Sequence, residues 1–150
     1  MNRAGIPFYI IGGASLISGG LISAVSAGAP SYTASWAVAY IVLVAGVAQL
    51  VLGIGQAQLA AKRPSAAVVA GEAIALNLAN AAVLLGTLIA APALTYLGAG
   101  LLVVALAIFV WAARGTRTHN KWLLYAFRIM IAVLAVSAPI GLLIARARAG

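Results

Sequence analysis

Glu72 is the only acidic side chain in a chain of 150 residues. A lone carboxyl group can titrate, hold a cation or pair with a base. It cannot form the two-carboxylate arrangement used for general acid–base work. The other groups that carry chemistry are as sparse. There is no cysteine, so disulfides, thiolate metal sites and a cysteine nucleophile are excluded. His119 is the sole histidine and sits among basic residues, where a solvated loop position is expected. Haem needs an axial ligand at membrane depth, and zinc needs three or four donors together; neither set is present. No serine has a base near it in sequence, and no glycine run sits in a strand–helix context. The expectation is a protein that is not an enzyme and has no metal and no cofactor.

The elements that position Glu72 follow from composition. The chain is 65% hydrophobic and 7% charged, against roughly 25% charged in a soluble domain. Five apolar stretches run over about 5–29, 36–61, 66–90, 94–113 and 122–145. At about 1.5 Å rise per residue, each can cross a hydrocarbon core of roughly 30 Å. The third and fourth together are too long for one crossing, so Ala91, Pro92 and Ala93 are expected to form a turn. Ser35, Ser65 and Asn120 are placed to cap the second, third and fifth helices. Gly115 is placed to end the fourth. The expected fold is an all-α integral membrane protein, a single domain over 1–150 built as a bundle of five transmembrane helices.

Charge placement gives a topology. Arg3, Lys62, Arg63, Arg114, Arg117 and Lys121 fall on one side if the N-terminus is cytoplasmic, and the alternate gaps carry no charge. Arg146 and Arg148 would then lie outside, against the rule. Tyr32, Trp36, Tyr40 and Tyr96 gather at the outer ends. Phe8, Tyr9, Phe109, Trp111, Trp122, Tyr125 and Phe127 gather at the inner ends, as an interfacial belt would. The net charge of +8 is spread over helix ends, which suits a lipid surface and not a nucleic acid. Lys62, Arg63, Arg114, Arg117 and Lys121 are the expected contacts to anionic lipid.

Counted from the inner ends, Glu72, Arg128 and Gln56 fall at one depth on three helices. This predicts a Glu72–Arg128 ion pair with Gln56 as third member. Such a layer is an interhelical clasp or a coupling site for a proton or cation, unless both charges snorkel to the headgroups. Gln49, Asn77, Asn80 and Thr87 are expected to bond across helix interfaces or to line a polar cavity. Ser15, Gly19, Ser23 and Ala27 recur every fourth residue and form a small-residue packing face on the first helix. Pro139 and Gly141 predict a kink in the fifth.

In length and helix count the chain resembles the translocator (tryptophan-rich sensory) protein family, and Ala75-Leu76-Asn77-Leu78 is similar to part of that family's third helix. Three tryptophans set it apart from a family whose motifs depend on that residue, so porphyrin and sterol binding are not carried over. Small multidrug transporters also embed a glutamate, but in the first of four helices. The alanine-rich composition fits a bacterium of high GC content. The expected role is a non-catalytic subunit or assembly partner in the cell membrane, joined to other membrane proteins or to its own copies. The alternative is a small transporter or channel using the polar layer around Glu72 and Arg128.

Overall fold

A computed structural model describes residues 5–59, 64–112 and 121–149, with side chains through Trp111 and again from Lys121 to Ser137. Arg3, Lys62, Arg63, Arg114, Gly115, Arg117, His119 and Asn120 lie outside the described residues, as do the side chains of Pro139, Arg146 and Arg148. Every regular element among the described residues is helical. We label them α1 (Ile6–Ser26), α2 (Tyr32–Leu59), α3 (Ala66–Leu88), α4 (Pro92–Ala112) and α5 (Lys121–Ala149). The first four are long and apolar enough to cross a membrane.

Helix starts follow capping chemistry, with two shifts from expectation. Ser65 caps α3, accepting a hydrogen bond from the Val68 amide at 3.3 Å. α2 begins at Tyr32 and not near Trp36, because Ser31 and not Ser35 is its cap: the Ala34 amide donates to Ser31 Oγ at 3.1 Å. The turn between α3 and α4 is also displaced, to residues 89–91. Ala90 takes a left-handed φ of 52°. The Ala91 amide donates to Gly86 O at 2.7 Å and the Ala90 amide to Thr87 O at 3.4 Å, which is the Schellman arrangement. Pro92 is not the turn centre. It opens α4, where its missing N–H costs nothing and its fixed φ suits a helix.

α2 is not wound uniformly. Tyr32–Tyr40 and Gln49–Leu59 are α-helical, and Ile41–Ala48 between them is π-helical. In a regular helix at about 100° per residue, Tyr40 and Gln49, nine apart, would face opposite ways. The wider π winding turns less per residue, and brings Gln49 back toward the side Tyr40 occupies.

Glycines set how the helices touch. A Cβ at Gly12 would sit 3.1 Å from Gly46 O, and one at Gly19 would sit 2.4 Å from a Val42 methyl, so α1 lies close along α2. The buried line on α1 is Phe8, Gly12 and Gly19. Of the expected small-residue face, Gly19 is in it, Ser15 is half-buried, and Ser23 and Ala27 are exposed. The line is shifted because Phe8 needs the gap that Gly53 leaves on α2. α3 and α4 form a close hairpin through Gly86 and Gly98.

The phenylalanines correct the expected inner belt. Phe8, Phe109 and Phe127 are wholly buried, whereas Trp111, Trp122 and Tyr125 are exposed. Phe8 meets Phe109 edge to face, with ring centroids 5.5 Å apart. Phe127 fills the space above Gly55. The division is chemical: indole and phenol need a wet end, and a phenyl ring has none to offer.

Candidate functional site

The buried face of α3 follows one helical stripe: Val69, Glu72, Ala73, Leu76, Ala79, Asn80 and Gly86. Glu72 and Asn80 therefore point inward with the apolar core and not toward lipid. On α2, Gln49, Leu52, Gly53 and Gln56 share a stripe in the same way. Packing both stripes inward puts Gln49, Gln56, Glu72 and Asn80 among the buried residues, with Gln49 fully enclosed.

These side chains fall in two layers. In the inner one, Gln56 Nε2 donates to Glu72 Oε2. Asn80 stands about 12 Å along α3 from Glu72, and Gln49 about 10 Å along α2 from Gln56, so the two share a second depth. There Tyr40 donates its hydroxyl to Asn80 Oδ1 at 3.2 Å. Trp36 stacks on the Tyr40 ring at 5.3 Å and holds it in place. The result is a polar seam between α2 and α3.

The seam is incompletely satisfied. Five buried atoms have no hydrogen-bond partner: both amide atoms of Gln49, Gln56 Oε1, Glu72 Oε1 and Asn80 Nδ2. Each such atom in an apolar surround costs about 1–3 kcal/mol.

Structure and expectation part company on the ion pair. Gln56 is the partner of Glu72, but Arg128 lies on the exposed side of α5, and no ion pair joins it to Glu72. Depth was the right guide for Gln56 and misled for Arg128, because rotation matters as much. α5 buries Phe127, Ile131 and Leu134. Arg128 follows Phe127 by one residue, about 100° around the helix, and is carried off that face. Asn77 and Thr87 are also outside the seam. Asn77 donates to Ala73 O and Thr87 to Val83 O, each at 2.8 Å within its own helix. Tyr40 is the member that belt reasoning concealed; the usable signal was a phenol that needs a partner opposite an asparagine in the C-terminal half of α3.

Among the described residues, no group of acidic, histidine or cysteine side chains is placed to hold a metal. Lys121 is exposed at the start of α5. Comparison with known proteins finds no family model, no curated protein and no solved structure that matches the chain.

Proposed function

We propose that the chain is a five-span membrane protein, N-terminus cytoplasmic, that acts as a non-catalytic subunit or assembly partner of other membrane proteins. Arg128 carries this reading. It lies seven residues into α5, about 10 Å along the helix, on a side shared with exposed Tyr125 and Ala132. A guanidinium at that depth is expensive against hydrocarbon and calls for an anionic group beside it. A carboxylate of a neighbouring protein meets that need by accepting from the guanidinium, whose five donors form a fixed fork. A lipid phosphate reached by snorkelling is the competing occupant. Purification in mild detergent followed by native mass spectrometry separates them. A foreign subunit is expected at fixed stoichiometry, and Arg128→Gln is expected to lower its recovery at least tenfold. A lone chain, with or without bound lipid, would defeat the proposal.

A different observation favours a small transporter or channel. A clasp that merely held α2 to α3 would satisfy its own polar atoms, yet the seam leaves five without partners. On this reading the seam exchanges partners as substrate or ions pass. Reconstituted protein should then move its substrate, and Glu72→Gln should slow it at least tenfold. Equal flux in the variant would exclude Glu72 from the path.

A further inference from the structure

The inner layer poses a problem in hydrogen bonding that a single proton resolves. Gln56 and Glu72 meet through one arm each, amide N–H to carboxyl oxygen. Their remaining arms, Gln56 Oε1 and Glu72 Oε1, are both acceptors when Glu72 is ionised, both buried, and both without a partner. Two acceptors cannot bond each other. Among the described residues an ionised carboxylate there would also lack a compensating charge. The described parts of α1 to α4 carry no lysine, arginine or histidine. On α5 the described basic side chains, Lys121 and Arg128, are exposed. The other groups near the seam, Gln49, Asn80 and Tyr40, are neutral. Burying an unpaired charge costs far more than burying its neutral form.

We propose that Glu72 is a proton-binding site. In the resting protein the carboxylate has taken one proton from water. Its Oε1–H donates to Gln56 Oε1 while Gln56 Nε2–H donates to Glu72 Oε2. The carboxyl and carboxamide close a two-bond ring with no net charge. Both orphan oxygens gain a partner, and neither Arg128 nor a metal is required. This stands whether the protein works as a subunit or as a transporter.

The test uses the full chain in lipid nanodiscs at neutral pH, with glutamate labelled by 13C at its side-chain carboxyl carbon. Glu72 is the only acidic residue, so the label marks one side chain. Infrared spectroscopy should show a labelled carboxylic-acid C=O band. It should be sensitive to deuteration and lie below the frequency of a free monomeric acid in hydrocarbon. In Gln56→Leu the band should move up toward the free-acid position. A labelled carboxylate band in the wild-type protein would overturn the proposal. Dependence of that carboxylate band on sodium or potassium would assign the site to a cation instead. An acid band at the free-acid frequency in the wild-type protein would remove the ring, even if Gln56→Leu failed to fold.

Discussion

Gly86→Ala is expected to destabilise the bundle by about 3 kcal/mol, at the upper end of the usual cost of overpacking. Helix propensity alone predicts the reverse, since alanine gains roughly 0.5–1 kcal/mol over glycine inside a helix. Geometry decides which effect wins. A Cβ at Gly86 would lie 2.6 Å from the Thr95 amide nitrogen, 2.6 Å from Thr95 Oγ1 and 3.1 Å from the Leu94 carbonyl carbon. Two of these are backbone atoms of α4, which cannot turn aside as a rotamer can. Gly98 presents the reciprocal contact, where a Cβ would meet the Val83 amide nitrogen at 2.6 Å. The two sites together fix how closely α3 and α4 approach. Gly71 and Gly100 are the controls, because a Cβ there meets nothing within 4 Å. Gly71→Ala and Gly100→Ala should be neutral or slightly stabilising. Reversible unfolding in mixed micelles measures all four variants. Equal stability of Gly86→Ala and Gly71→Ala would mean that the hairpin is not held by this contact.

That hairpin shows what a sequence of this kind displays and what it conceals. Apolar length and the position of Pro92 were enough to place two helices with a short turn between them. The direction of the residues around the proline was harder to read. Proline both ends a helix and begins one, and the choice rests on Ala90 accepting a left-handed φ usually left to glycine. The cost of about 1–2 kcal/mol for that conformation leaves no trace in composition. Ser65 was legible as a cap because it stands alone before its helix, whereas Ser31 and Ser35 compete for the same role in α2.

The candidate site was legible in depth but not in rotation. Gln56 and Glu72 fall at one level when residues are counted from the helix ends, but Gln58 stands two residues from Gln56 on α2 and is exposed, so depth alone did not say which glutamine faces Glu72. Azimuth on α2 depends on eight π-wound residues, Ile41–Ala48, whose sequence is plain apolar. Azimuth on α5 depends on which aromatic ring finds a glycine. Apolar residues occur on every side of these helices, since lipid and protein interior are both apolar, so periodicity does not mark the inward face. Small residues do mark it, but only in pairs. Gly55 means little until Phe127 is seen above it.

Phe127→Ala is therefore the second substitution expected to have a large effect, with two separate consequences. In a soluble core the loss of a buried phenyl group costs about 3–5 kcal/mol. Part of that is the transfer of apolar surface to water, which does not arise when the alternative surround is lipid. The packing part remains, so about 2–3 kcal/mol is expected here. The same unfolding measurement should show Gly55→Ala destabilising too, because a Cβ there would lie 2.2 Å from Phe127 Cδ2. The double variant should cost less than the sum, since removing the ring removes the clash. The second consequence is electrostatic. Phe127 fixes the rotation of α5, and that rotation keeps Arg128 on the outside. Released from it, α5 is free to turn by about 100°, one residue's worth of helix. A guanidinium brought toward Glu72 favours the ionised carboxyl group. In Phe127→Ala the labelled acid band of Glu72 should thus weaken as a carboxylate band grows, and Arg128→Gln in that background should restore the acid. A pure acid band in Phe127→Ala, with stability lost, would show that the ring holds α5 in place without setting its rotation.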